Sequence, residues 1–288
     1  MELPPLYALG FAVGTTLVLL ALFRLGRRFS TPHASAGSVA KSFADSNAAR
    51  HLLDVGEILG VFMVAAAVVK NCVRGEDLGA DVLAAAEFGV LGLALVAIMG
   101  RLGTQLLLQS RLPSEIARGN VAAGLAAGSH YVAVGIVAAH AIAGSKLRDV
   151  GLSLFFFALA MLALWAFVTL FRALTTYDDA EQIHGENLAA AISYAGVSIA
   201  VAIIVGCALD GDFVSWEVSL KGFGAILLLA LALYPVRQLF VQTVLLGAPL
   251  ALRGGRLDTG IGTERNEGIG ALEAVSYIAT ALSVARLL

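Results

Sequence analysis

Eight times along the 288-residue chain, an apolar run of about 20 residues rises out of a polar stretch and falls back into one. That length is what an α-helix needs to cross a hydrocarbon core of roughly 30 Å, where each backbone N–H and C=O must find its partner inside the segment. The runs lie at 6–23, 48–69, 82–99, 121–142, 152–171, 188–209, 220–236 and 267–287. The pattern predicts an all-α membrane protein of eight transmembrane helices. With 59% hydrophobic and 14% charged residues, the chain sits outside the usual soluble balance, and the lipid bilayer is its expected surroundings. The first run follows Glu2 rather than a basic segment, and Arg24, Arg27 and Arg28 come after it, so it reads as a retained span.

Lysine and arginine set the expected orientation, because loops rich in them stay in the cytoplasm. Thirteen of the 19 flank the odd-numbered loops, which makes those loops cytoplasmic and puts the N- and C-termini on the opposite side. No loop exceeds about 30 residues, too few for a soluble catalytic domain of typical size. The net charge of −2 gives no footprint for a nucleic-acid partner. The cysteines, Cys72 and Cys207, fall near the same side of the membrane, which permits a bridge without requiring one.

Each even-numbered run opens with a related phrase. These are DSNAARHLLDVGEILG from Asp45, RGNVAAGLAAGSHYVAVG from Arg118, GENLAAAISYAGVSIAVA from Gly185 and RNEGIGALEAVSYIATA from Arg265. Asparagine recurs in them at Asn47, Asn120, Asn187 and Asn266, and an arginine closes the preceding odd run at Arg24, Arg101, Arg172 and Arg237. The unit is a two-helix hairpin used four times, grouped as two four-span repeats at 1–147 and 148–288. An asparagine before a helical run reads as an N-cap, its side-chain oxygen accepting from the first exposed N–H groups. The small residues that follow, such as Ala122, Ala123 and Gly124, let helices approach closely in lipid, where no hydrophobic force drives them together.

The phrases EIARGNVAAGLAAG from Glu115 and EQIHGENLAAAISYAG from Glu181 resemble the repeated motif of the YjfL-like inner-membrane proteins, a family of unknown function catalogued as number 350. Members of that family usually carry one four-span unit, so this chain resembles two fused copies. Asn120 and Asn187 carry the resemblance, whereas Asn47 and Asn266 match more loosely, with Arg50 or Gly268 where small apolar residues are expected. The resemblance implies a bacterial inner-membrane location and brings no catalytic residue.

Charged side chains inside a span are costly, so each is a candidate for function. Counted from the repeated asparagine, Asp54 and Glu273 sit seven residues in, while Glu57 and His130 sit ten in, near the midplane. Arg50 shares a helix face with Asp54 and Glu57. Two readings follow: a self-neutralising ladder in which Arg50 pairs Asp54, or a polar track in which Glu57 and His130 relay protons at equal depth. Glu87 and His140 read as interface residues, and Asp178 with Asp179 as solvated loop charges. Pro235 is expected to kink the seventh span.

No metal-ligand spacing and no nucleophile elbow appears, so no catalytic residue, metal or cofactor is expected and the chain does not read as an enzyme. The leading expectation is a channel or secondary transporter for protons or a small cation, with Asp54, Glu57, His130 and Glu273 along the path. Parallel repeats are a known transporter plan. The alternative is a non-catalytic membrane scaffold docking a cytosolic partner of an envelope-stress system through the basic first loop, residues 25–43. A homo-oligomer is compatible with either.

Overall fold

The computed structural model describes residues 4–30, 46–108, 112–144, 147–211, 213–251 and 253–288, and every regular element among them is helical. Eight helices are long and apolar enough to cross a membrane, which fits a multi-pass integral membrane protein. Seven are Pro5–Ser30, Ala48–Cys72, Leu78–Leu108, Val121–Ala141, Leu147–Ala173, Leu188–Cys207 and Glu267–Leu287. The seventh in chain order starts as Trp216–Ala230 and continues irregularly to Leu245. Short helices Leu112–Ala117, Asp179–His184 and Arg256–Asp258 lie on the approach to the fourth, sixth and eighth spans.

The third span outruns its apolar segment at both ends. At its start, Asp81 accepts the N–H groups of Arg74 and Gly75 and the hydroxyl of Tyr7, all at 2.7–2.8 Å, so the loop before it is tied to the first turn. At its far end the helix carries on past Arg101, whose long stem lets a charged head reach the interface from a helical position.

The even-numbered spans stand side by side in the order second, fourth, sixth, eighth, and the repeated asparagines hold them in register. Each is an N-cap, with its Oδ1 accepting the N–H three residues on, at Arg50, Ala123, Ala190 and Ile269. Three of them also reach across to the next hairpin. Asn47 Nδ2 donates to Ile116 O, Asn120 Nδ2 to Ile183 O and Asn187 Nδ2 to Ile261 O, all at 2.8–2.9 Å. One side chain thus satisfies a helix end and stitches it to its neighbour, which matters where water is scarce. Gly119, Glu186 and Arg265, each just before its asparagine, have φ of 96°, 63° and 52°, the left-handed turn that delivers the chain to the cap.

Small residues set the spacing of the row. A Cβ placed on Gly56 of the second span would lie 2.2 Å from the carbonyl oxygen of Gly128 in the fourth. One on Gly270 of the eighth span would lie 2.5 Å from Ala189 O in the sixth. Backbones therefore touch directly, as close packing in lipid requires. The fourth and sixth spans are buried along most of their length, and the odd-numbered spans flank the row, the first being the most exposed.

Pro235 has the effect expected of it. Lacking an N–H, it leaves the ladder open one turn back, and the seventh helix breaks into tight turns at Leu231 and Ala232 before resuming as Leu233–Val236 and a wide-turned segment Arg237–Leu245.

Candidate functional site

Arg27, at the end of the first span, is the partner of both carboxylates in the second. Its guanidinium lies 2.6 Å from Asp54 and 3.4 Å from Glu57. The expected pairing of Asp54 with Arg50 on the same helix is not the one formed. A pair one turn apart in the same helix contributes only a few tenths of a kcal/mol, whereas Arg27 reaches in from a neighbouring helix and faces both acids at once. Arg50 instead lines a cavity of about 610 Å³, together with Arg27, Glu57, Arg101 and Tyr131.

His130 is fully buried but does not meet Glu57. Its ring lies on the bare backbone of the third span, where a Cβ on Gly103 would come within 1.9 Å of Nε2. The next residue, Tyr131, takes the place beside Glu57 in the cavity wall. Equal depth counted along two helices does not bring two side chains to the same side, and the expected Glu57–His130 relay is not assembled.

Glu273 is also accounted for by its neighbours. Its two oxygens accept from Arg237 Nε and from Ser193 Oγ, the latter at 2.7 Å. Arg237 also binds Asp258, whose second oxygen accepts the N–H and hydroxyl of Thr176 at 2.8 and 3.0 Å. Arg237 is 1% exposed, so it belongs to the interior of the second repeat and not to the membrane interface where its place at the end of an apolar run had put it.

Asp179, expected to be solvated, is buried at 4% exposure. It accepts from Arg172 Nε at 3.0 Å, while Arg172 Nη1 donates to Leu107 O at 2.7 Å and its guanidinium stacks over Tyr194. Asp178, by contrast, caps the short helix that follows by accepting the N–H of Glu181. Asp179 and Asp258 each stand eight residues before a repeated asparagine, and each takes the arginine that ends the preceding odd span. That shared offset is a sequence signal confined to the second repeat, since Val39 and Leu112 stand at the same offset from Asn47 and Asn120.

Burial pushes the Asp179 carboxyl up to about 6, with Arg172 pulling the other way. The folded state therefore holds a proton that the unfolded chain releases nearer 4, and this contribution is full below the unfolded value and fades as pH rises through the folded one. Thermal stability is expected to fall between about pH 4 and pH 6 and to flatten above. Melting curves of Asp179→Asn should lack that slope, and an unchanged slope would rule out Asp179 as its source.

Cys72 is buried and Cys207 half-buried, and both are unbridged. His140 Nδ1 lies 2.7 Å from Asp210, joining the far ends of the fourth and sixth spans. Glu87 is half-buried. Of the basic first loop, residues 31–43 lie outside the described residues, and so does the docking role expected of it.

A second cavity of about 670 Å³ lies between the first and third spans and shares Leu22 and Val90 with the first. Its wall is almost wholly apolar, with Tyr7 at its far end.

The family model described as Domain of Unknown Function (DUF350) matches residues 1–142 and again residues 146–288. No curated protein and no solved structure matches the chain.

Proposed function

The chain belongs to the DUF350 family, as two tandem copies, and from that premise we propose that it is a transport protein of the bacterial inner membrane whose working site is the arginine-lined cavity of the first repeat. Glu57 is its exchangeable proton site. One observation carries this reading: the Glu57 side chain keeps 14% of its surface accessible in the wall of that cavity, while those of Asp54 and Glu273 keep 0% and 2%. Arg27 is shared between Asp54 and Glu57, so a proton on Glu57 leaves Arg27 to Asp54. In a low-dielectric interior the neutral form of a carboxylate is the cheaper one to bury, which is what makes such a group a workable proton carrier.

The same lining argues against a metal cation as cargo, since Arg50 and Arg101 add positive charge where such an ion would have to pass. The arginine-rich, asparagine-capped end of the row is assigned to the cytoplasm and both termini to the other side.

Proteoliposomes loaded with a pH-sensitive dye test the reading. Wild-type protein is expected to dissipate an imposed pH gradient faster than empty vesicles, and Glu57→Gln is expected to slow this at least tenfold with folded yield retained, because Asp54 still pairs Arg27. Flux no greater than in empty vesicles removes the proposal, and so does full flux from Glu57→Gln.

A further inference from the structure

Glu57 explains only part of the cavity. Arg50, in the first turn of the second span, and Arg101, near the end of the third, also line it, and among the described residues neither guanidinium has a carboxylate within ion-pairing distance. Among the described residues, Arg27, Arg50 and Arg101 stand around the cavity against Asp54 and Glu57, a surplus of positive charge at the asparagine-capped end. Away from the arginines the lining is apolar, with Leu22, Leu93 and Ala94 among its residues.

The second cavity continues that apolar wall. It begins where the first ends, at Leu22 and Val90, and runs between the first and third spans to Leu78. From Arg101 to Leu78 the third span rises about 34 Å, at 1.5 Å per residue, which is a full hydrocarbon thickness. The two cavities thus form one crevice along the first and third spans, which meet at Leu19 beside Gly89 and at Tyr7 on Asp81, and it is charged at one end and greasy along the remainder. A small free anion would use only the charged end, and an uncharged lipid only the rest. Basic pockets between membrane helices suit acidic headgroups.

We propose that this crevice binds an acidic amphiphile, with its phosphate or carboxylate head held between Arg50 and Arg101 and its acyl chain laid between the first and third spans. The assignment names a ligand for the cavity of the proposed function and rests on that cavity being the working site. Glu57 lies between head and chain, so its charge opposes the ligand's, and proton uptake at Glu57 and ligand binding favour each other.

Binding is measured on the full chain in a neutral detergent, by thermal shift and by native mass spectrometry, with phosphatidylglycerol, phosphatidylcholine, a long-chain fatty acid and inorganic phosphate as separate probes. Phosphatidylglycerol or the fatty acid is expected to raise the melting temperature and to remain bound, and which of the two does so identifies the head as phosphate or carboxylate. Phosphatidylcholine and inorganic phosphate are expected to do neither. Arg50→Gln/Arg101→Gln should weaken that binding by roughly a hundredfold, the loss of two charge-assisted contacts. Glu57→Gln should strengthen it.

Equal shifts from phosphatidylcholine, a full effect from inorganic phosphate alone, or undiminished binding by the double variant would each overturn the assignment. If the double variant fails to fold, Arg101→Gln alone, at an exposed position, must weaken binding at least about tenfold or the assignment fails. Selective binding without proton flux leaves the ligand in place and removes Glu57 as a proton carrier, whereas flux without selective binding does the reverse.

Discussion

Arg237→Met is expected to cost about 3–5 kcal/mol of folding stability, the largest loss of any single substitution in the second repeat. The guanidinium is 1% exposed and holds both Asp258 and Glu273, so its removal leaves two carboxylates in an apolar interior without the cation they share. Thr176 and Ser193 would still donate to those acids, but a hydroxyl or an N–H does not offset a buried charge. The loss should appear as a lower midpoint in denaturant or heat, measured in detergent. Neutralising the acids as well, in Arg237→Met/Asp258→Asn/Glu273→Gln, should restore most of it, because a neutral buried set costs far less than a broken charged one. A single variant within about 1 kcal/mol of wild type would mean that the triad is not what holds the seventh and eighth spans together.

Gly56→Leu is expected to separate the second and fourth spans. Even an alanine there places a Cβ 2.2 Å from Gly128 O and 2.5 Å from its Cα, with backbone and no flexible side chain in the way, so Gly56→Ala alone should cost about 1–3 kcal/mol and leucine more. The damage spreads because the contact is one of a series. Gly124 lies against Ala49 O and Gly135 against the Cα of Gly60, and a shift that frees one loosens the others. Gly151, in the fifth span with nothing within 4 Å of an added Cβ, supplies the control, since Gly151→Ala should cost nothing and add up to about 1 kcal/mol through helix propensity. If the Gly56 and Gly151 variants melt alike, the second and fourth backbones are not in contact.

The eight spans and the repeated asparagines were legible in the sequence because each is a local pattern: an apolar run of fixed length, or one residue at the mouth of a helix. What could not be read was partnership across the chain. Asp54 has Arg50 one turn away, and nothing in the spacing says that Arg27, from another helix, fills the place instead. Depth along a helix was countable while azimuth was not, so Glu57 and His130 share a level and face different neighbours. Arg237 looked interfacial because it ends an apolar run, and its burial follows from Asp258, which lies beyond the span in a stretch whose glycines hide its role. Asp179 could have been found, since it and Asp258 occupy the same offset from an asparagine. The crevice between the first and third spans depends on how far apart two helices stand, which no single-helix pattern records.

The asparagine stitches run one way only, each hairpin to the one after it, and the amide nitrogen of Asn266 has no acceptor among the described residues. Such an array behaves like a zip fastened at successive teeth, with cohesion set by each unit and its adjacent one. Pulled from the C-terminus by a magnetic tweezer, the molecule should open in steps, the last hairpin leaving first while those nearer the N-terminus keep their shape.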